Sequence, residues 1–365
     1  MRNIILVLLI TVFSFNSFSQ QASFVISGKV INAATKAPLQ GASVFAENTT
    51  LGTATDAEGN FKLYLPNGGY ELVVTFTGYN TETKRINAAD ATDKNLVLEL
   101  NQKEKEMQAV SVVATGEVKD GWNKYGLFFF EQFIGKTANS SGCTIKNKED
   151  LKFFFSKKRN RLKVMSAEPL LIENNALGYT IKYALDSFIH EYASQVSVYT
   201  GNPLFEEMST TDPAQQAVWA KARQQAYKGS VLHFMRSVYN QQLKEEGFEV
   251  QFVINVNGGD SALKLKNYYS ALNYKKDDSL QTVEIRPNQN EVGVLYMNEK
   301  PAPAYFTDNE KGPVDFQFSV LSFLPHHSIT IEQNGYFFEQ NEITTNEYWT
   351  WERIADQVPY DYVPN

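Results

Sequence analysis

The sequence has very little cysteine and histidine, and this limits the chemistry that it can perform. Its 365 residues include one cysteine and four histidines. A single cysteine cannot close a disulfide within the chain, so Cys143 is either buried, paired with another chain, or reactive. Because free cysteine behaves as a small hydrophobic residue, burial is the first expectation.

Excess positive charge is also missing. The formal net charge is −7, from 34 lysines and arginines against 41 acidic residues. Proteins that bind nucleic acid use basic surfaces to neutralise phosphates, so no nucleic-acid partner is predicted. A charged content of 21% and a hydrophobic content of 43% are typical of a folded protein, and the length allows about two or three domains.

No apolar run after the N-terminus is long enough to cross a membrane. Residues 4–13 are apolar, follow the charged Arg2, and precede small and polar residues. A spanning helix needs about 20 apolar residues. The pattern therefore predicts a removable signal peptide over residues 1–20 rather than a membrane anchor. We expect an exported chain without a transmembrane span, located in the periplasm or associated with the outer membrane.

Short apolar segments with turn residues between them predict seven strands over residues 24–100, which is typical of a β-sandwich. One hairpin has a particularly clear signal: Asp56 is predicted to cap a tight turn, Gly59 to take a positive φ, and Phe61 to return to the core. The predicted strands cover residues 24–31, 42–47, 53–56, 61–65, 70–76, 85–87 and 95–100.

The order of these signals resembles the carboxypeptidase regulatory-like domain. The motifs are Gly28-Lys29-Val30, Pro38-Leu39 followed by Gly41-Ala42, Thr55-Asp56 followed by Gly59 and Phe61, and Gly78-Tyr79. The resemblance implies a seven-stranded transthyretin-like sandwich. It implies no catalysis, since the family is named for an accessory domain of zinc carboxypeptidases.

Residues 101–120 are predicted to be a connector. Its stretch from Val110 to Gly116 resembles the segment that follows this domain in TonB-dependent outer-membrane receptors. The resemblance implies an accessory role in TonB-dependent uptake, and an ordinary edge strand is the alternative.

Residues 121–365 are predicted to form a larger α+β domain, mainly antiparallel, with a central helical pair. Asp212 and Pro213 favour a helix start, and that helix should run to about Tyr227. Ser230 is the predicted N-cap of the second helix, which is expected to end at Gly247.

The rest of this part is predicted to be strands. Asn334-Gly335 predicts a type I′ hairpin. The motifs Phe133-Ile134-Gly135, Leu177-Gly178-Tyr179, Gly229-Ser230 and Tyr348-Trp349 resemble the C-terminal part of a family of exported Gram-negative proteins. Those proteins also carry the regulatory-like domain, and no chemistry is assigned to them. Predicted strands cover residues 151–155, 162–166, 181–185, 195–199, 249–256, 281–286, 291–297, 315–323 and 328–333.

Zinc carboxypeptidase chemistry is not predicted. It needs a His and a Glu three residues apart, plus a distant His. No histidine of this sequence has a Glu at that spacing, and no metal site or cofactor is predicted. The histidines are His190, His233, His326 and His327, the last two in a predicted turn.

Cys143 and Ser230 are the two candidate nucleophiles, and each also has a structural explanation. A thiol hydrolase would need Cys143 to be activated by His190 or His233. His233 shares a helix face with polar residues and is predicted to lie at a polar rim. Ser230 lacks the Gly-x-Ser-x-Gly context of a nucleophile, so no catalytic residue is predicted.

Two features suggest binding. The basic tract at residues 144–163 could meet lipid head groups or an acidic glycan, or could be a solvated hairpin tip. Aromatic clusters at residues 122–133 and 348–351, with Tyr360 and Tyr362, could stack on sugars or anchor a peptide, or could pack in the core.

The sequence thus predicts a non-catalytic envelope protein that binds a protein or glycan partner. The alternatives are an envelope hydrolase with a cryptic site and an accessory of a TonB-dependent uptake system.

Overall fold

The computed structural model describes residues 22–88, 96–103, 116–309 and 312–364. The predicted signal peptide and most of the Val110–Gly116 stretch lie outside these residues. The described chain is mostly β, and its named strands pair antiparallel except β1 with β7. No helix among the described residues is long and apolar enough to cross a membrane.

The N-terminal part is a sandwich of seven strands in two sheets, as predicted. One sheet has the order β4-β1-β7 and the other β3-β2-β5-β6. The strands are β1 (Ser23–Asn32), β2 (Ser43–Ala46), β3 (Gly52–Ala54), β4 (Asn60–Pro66), β5 (Gly69–Thr75), β6 (Glu82–Asn87) and β7 (Leu96–Leu100).

The turn between β3 and β4 has the predicted residues in the predicted roles, but it joins the two sheets and is not a hairpin, because β3 pairs with β2 and β4 with β1. Asp56 Oδ1 accepts hydrogen bonds from the backbone N–H groups of Glu58 and Asn60, at 3.0 and 2.7 Å. Gly59 has φ +79°, and a Cβ there would lie 2.6 Å from the Val30 carbonyl oxygen. The position therefore requires glycine twice over, for its backbone conformation and for its lack of a side chain.

The middle part is a six-stranded sheet packed against one helix. Its order is β8-β11-β12-β10-β9, with β13 on the other edge of β12. The elements are α1 (Gly121–Phe133), β8 (Cys143–Ile145), β9 (Leu151–Ser156), β10 (Arg161–Ser166), β11 (Leu170–Asn174), β12 (Tyr179–Glu191) and β13 (Val196–Glu207), with 3-10 turns at Ala138–Gly142 and Lys148–Asp150.

Helix α1 was missed by the sequence analysis, which identified only an aromatic cluster there. Its buried residues Phe129 and Phe133 pack edge-on against Phe188 and Tyr183 of the sheet, with ring centroids 5.1 and 5.0 Å apart. Cluster residues 122–133 thus pack in the core, which is the alternative that the sequence analysis gave to sugar stacking.

The last part contains the predicted helical pair and two further sheets, ordered β15-β14-β18-β19-β21 and β16-β17-β20. The helices are α2 (Pro213–Tyr227), α3 (Val231–Tyr239), α4 (Tyr268–Ala271), α5 (Pro303–Asp308) and α6 (Tyr348–Trp351). The strands are β14 (Phe248–Val256), β15 (Gly259–Lys264), β16 (Lys275–Asp277), β17 (Thr282–Ile285), β18 (Glu291–Tyr296), β19 (Gln317–Phe323), β20 (Ile329–Glu332) and β21 (Ile343–Glu347), with 3-10 turns at Gln340–Glu342 and Ile354–Asp356.

Two local predictions in this part were wrong. Helix α3 ends at Tyr239 rather than near Gly247, because Gln241 takes φ +57° and stops the helix without glycine. The hairpin after β20 is not type I′, since only Gly335 of the Asn334-Gly335 pair has a positive φ. The Asn334 side chain is held elsewhere: its amide nitrogen donates to the Gly69 carbonyl at 3.0 Å.

The C-terminal residues tie these parts together. The Tyr360 backbone N–H donates to the Asn48 carbonyl of the sandwich at 2.7 Å, and the Asp361 carboxylate accepts from the Thr50 N–H at 2.9 Å. Further back, the Asn174 side chain of β11 donates to the Ala355 carbonyl at 2.9 Å. The segment therefore contacts the sandwich and the six-stranded sheet.

Candidate functional site

A cleft of about 600 Å³ opens where the sandwich, helix α3 and the C-terminal residues meet, and we call it the junction cleft. Its volume falls in the usual range for small-molecule sites. Most of its lining residues are polar. They are Ala22, Asn67, Tyr227, His233, Arg236, Ser237, Asn240, Gln242, Glu246, Gln333, Asn334, Val363 and Pro364.

Arg236 forms the floor of the junction cleft. Its guanidinium donates to three backbone carbonyls, those of Asn334, Tyr360 and Tyr362, at 2.9, 2.8 and 2.8 Å. The group therefore connects α3 to the turn after β20 and to the C-terminal residues. Because these bonds use three of its five N–H donors and join three segments, we assign Arg236 a structural role in shaping the cleft.

His233 lies beside Arg236 and is 4% exposed, so it is buried at the floor rather than at the predicted polar rim. The Gly229 N–H donates to its Nδ1 at 3.1 Å, and its Nε2 lies 3.1 Å from Glu246 Oε2. This arrangement requires the neutral tautomer with the proton on Nε2. Burial lowers the pKa of His233, although the hydrogen bond to Glu246 opposes that shift. Neither nitrogen is free to take a proton from a substrate.

Exposed amide side chains surround the mouth of the junction cleft. Asn240, Gln242 and Gln333 are exposed, and Asn67 of the sandwich is half-buried. Each amide offers two donors and an acceptor, so the rim suits a ligand rich in hydroxyl groups. The Tyr227 ring lines the same cleft but is only 7% exposed, because it packs against His233 and Tyr362.

Cys143 is a buried thiol, as expected. It is 8% exposed, and its Sγ lies 3.5 Å from the Asn139 carbonyl oxygen. Burial, with a smaller contribution from the Asp356 carboxylate, raises the pKa of Cys143 to about 12. The thiolate that a nucleophilic mechanism needs is therefore strongly disfavoured.

Ser230 is the N-cap of α3, as predicted. Its Oγ accepts from the His233 N–H at 3.2 Å and donates to the Tyr227 carbonyl at 2.7 Å. Asp212 caps α2 in the same way, accepting from the Ala214 N–H at 2.9 Å. The side-chain oxygens of Ser230 and Asp212 are thus used in capping the two helices.

The remaining histidines do not converge on Cys143 or Ser230. His190 is buried beside Phe128 and Tyr192, and its Nδ1 lies 2.9 Å from Ser197 Oγ. His326 lies in the predicted turn before β20 with φ +70°. Within the described ranges, no three His, Cys, Asp or Glu side chains are grouped closely enough to hold a metal ion.

The aromatic residues near the C-terminus pack inside the protein. Tyr348, Trp349 and Trp351 are buried. Trp349 Nε1 donates to the Gly229 carbonyl at 2.7 Å, and Tyr360 packs edge-on against Tyr336. These aromatic residues therefore pack in the core and do not form an exposed surface for stacking on sugars.

The residues that build the junction cleft were largely missed by the sequence analysis. Arg236, Asn334 and Asn67 come from three separate elements and carry no shared motif. The one signal available was the polar face of the second predicted helix, where His233, Ser237 and Asn240 lie at helical spacing.

Comparison with known proteins agrees with the N-terminal architecture. The family model of the CarboxypepD_reg-like domain matches residues 26–112. The TonB-dependent receptor SusC of Bacteroides thetaiotaomicron is 32% identical over 120 residues, which cover 33% of this chain and 11% of the receptor. The chain thus spans about a tenth of the length of that curated relative.

Similarity to solved structures is weak. A catechol 1,2-dioxygenase from Acinetobacter is 13% identical with a TM-score of 0.20, covering 24% of this chain and 55% of that one. A DUF3823 family protein from Bacteroides ovatus is 11% identical with a TM-score of 0.17, covering 52% and 83%. Likeness at this level carries no argument about activity. What the sequence match does establish is that the chain carries a CarboxypepD_reg-like domain at residues 26–112, close to its N-terminus.

Proposed function

We propose that this protein is a non-catalytic component of a Gram-negative envelope that binds a glycan in the junction cleft. The observation that carries the proposal is the exposed amide rim above a rigid, hydrogen-bonded floor. A rim of amides on a pre-organised floor provides directional hydrogen bonds at a low entropic cost on binding.

The cleft favours a glycan over a protein partner. A volume of about 600 Å³ suits a short oligosaccharide, whereas a stable protein interface needs a broad surface. The candidate nucleophiles support the non-catalytic part of the proposal, since Cys143 is buried and Ser230 caps a helix.

The envelope location rests on two supports. The first is the apolar leader at residues 4–13, which is typical of export. The second is the similarity to a TonB-dependent receptor over 120 residues. We infer that the chain is processed after residue 20, and that a connector at residues 101–120 separates the sandwich, residues 24–100, from the α+β part, residues 121–365.

Calorimetric titration with soluble oligosaccharides tests glycan binding. The panel contains α- and β-linked glucans, mannans and peptidoglycan fragments. We expect one class to bind, and the double variant Asn240→Ala, Gln242→Ala to weaken that binding by about tenfold through two lost hydrogen bonds. A matched control removes two exposed amides of the sandwich, Gln40→Ala and Asn80→Ala, and should bind normally. Failure of every glycan class to bind, or equal loss in both variants, contradicts the proposal.

A role as an accessory of TonB-dependent uptake is the second candidate, favoured by the similarity to SusC. Replacing residues 110–116 by a Gly/Ser linker of equal length should then abolish uptake of one nutrient in cells. Unchanged uptake across carbon sources would exclude this role and leave glycan binding in the cleft untouched.

A further inference from the structure

The six-stranded sheet has one face that the helices do not cover, and we call it the outer face. Cross-strand register places Phe154, Lys163, Ile189 and Val198 in one row, because each is paired with the next. Directly paired residues point to the same side of a sheet. The neighbouring row, from Phe153 through Val164 and Phe188 to Tyr199, points to the opposite side, where α1 packs.

The outer face is apolar at the end farthest from the sandwich. Val198 is 57% exposed and Val196, two residues earlier on the same face of β13, is 50% exposed. Phe154 and Ile189 beside them are half-buried. The sandwich contacts β13 near Leu204, at the other end of the strand, so it leaves these residues open.

Basic side chains border this apolar area. The β9–β10 turn carries Lys157, Lys158 and Arg159, all exposed. That turn lies next to the turn between β12 and β13, which leads into Val196, because the Tyr192 N–H donates to the Asn160 carbonyl at 3.1 Å. Two further lysines, Lys152 and Lys163, lie on strands of the same face.

The acidic groups on the outer face leave a positive balance. Glu191 is paired with Arg161 at 3.2 Å, and Glu117 lies opposite Phe154 at the sheet edge. Toward the other end of the face, Glu173 and Glu206 are each paired with a lysine, Lys146 and Lys182. Around the exposed valines the basic residues therefore outnumber the carboxylates, although the whole chain carries a net charge of −7. The positive charge is thus concentrated where the exposed valines lie.

We propose that the outer face docks onto a membrane leaflet that carries anionic head groups. Basic residues attract such a leaflet, and exposed apolar side chains gain free energy by entering its interface. A soluble polyanion would satisfy the lysines but would leave Val196 and Val198 in water. The combination of charge and exposed apolar area therefore favours a lipid surface, and this proposal goes beyond glycan binding in the cleft.

Sedimentation with lipid vesicles tests the proposal. The probes are phosphatidylcholine vesicles and vesicles with about a third phosphatidylglycerol, and all variants carry the same N-terminus, since residues 4–13 are themselves apolar. We expect preferential binding to the anionic vesicles that weakens with salt. The variant Lys157→Gln, Lys158→Gln, Arg159→Gln should lose at least about tenfold in affinity. The variant Val196→Ser, Val198→Ser should lose affinity without changing the salt dependence.

Matched controls separate the outer face from general charge and hydrophobicity. Lys221→Gln, Lys264→Gln, Lys266→Gln removes equal charge elsewhere, and Val218→Ser removes a valine of α2 that is also 57% exposed. Both controls should bind vesicles normally, and circular dichroism should show every variant folded. Equal loss in test and control variants, or no preference for anionic vesicles, overturns the proposal. So does binding of dextran sulfate through the same lysines without vesicle binding, which would make the surface a polyanion site.

Discussion

The junction cleft and the outer face use charged residues in opposite ways. In the cleft, Arg236 donates to three backbone carbonyls, and both His233 nitrogens have partners. On the outer face, the lysines of the β9–β10 turn extend into solvent. Charge that is fully hydrogen-bonded inside a protein shapes the structure, whereas solvated charge is available to a partner. Variants at the two places should therefore separate stability from binding.

The largest expected effect is at Arg236. Arg236→Met leaves three carbonyl oxygens without their donor, which should lower the free energy of unfolding by about 2–4 kcal/mol. Urea unfolding followed by circular dichroism measures this. Arg236→Lys, which keeps the charge but cannot reach three acceptors, should recover only part of the loss. A native midpoint in the Met variant would show that these bonds are not structural.

A smaller effect is expected at Glu47, where the sandwich approaches Asp186 of β12. Burial, then the nearby Glu71 and Asp186 carboxylates, raise the pKa of Glu47 to about 7. Folding therefore favours the protonated acid, and this contribution is present at low pH and lost as the pH rises through 7. Glu47→Gln should leave stability at pH 5 nearly unchanged and raise it by about 2 kcal/mol at pH 8. Melting temperatures across pH 5–8 measure this, and parallel curves for the two proteins would exclude it.

The rate at which the Cys143 thiol reacts with a probe measures how well the native fold buries it. Its thiol is buried and its pKa is raised to about 12, so a maleimide probe should react at least about a hundredfold more slowly in the native than in the unfolded protein. Serine-directed probes should not label native Ser230, whose Oγ caps α3. Rapid native labelling of either residue would revive the hydrolase alternative.

The smallest effect is expected at the β9–β10 turn. Lys157→Gln, Lys158→Gln, Arg159→Gln should change the free energy of unfolding by no more than about 0.5 kcal/mol, because the three side chains are exposed. The same urea titration used for Arg236 measures it. A loss comparable to that of Arg236→Met would mean that the turn is part of the structural framework, and the contrast between cleft and outer face would fail.

Local signals explain which parts of the fold could be predicted. The Asp56–Gly59 turn, the Asp212 cap and the Ser230 cap each depend on a few neighbouring residues, and all three were predicted correctly. In helix α1, Trp122, Tyr125, Phe129 and Phe133 lie at helical spacing, but the apolar residues Leu127, Phe128 and Phe130 on its other faces obscure that stripe in the sequence. Which face of α1 is buried is decided by its packing against the six-stranded sheet.

The two proposed binding surfaces depend on contacts between distant residues. The junction cleft joins Asn67, Arg236 and Asn334, which only the complete fold brings together. The basic tract was visible in the sequence, but its position beside Val196 and Val198 follows from strand register and could not be predicted. Pairing between strands that are remote in sequence decides which residues become neighbours, and local sequence patterns do not show it.

The contact between Thr50 and Asp361 has a consequence for biosynthesis. The two residues are 311 positions apart. With the hydrogen bond from Tyr360 to Asn48, their contact holds the C-terminal segment against the sandwich. While the chain is being synthesised, this contact cannot form until residue 361 has been added. The junction cleft, which is lined by Asn67 of the sandwich and by Val363 and Pro364, is therefore complete only after residues 363 and 364 have been made.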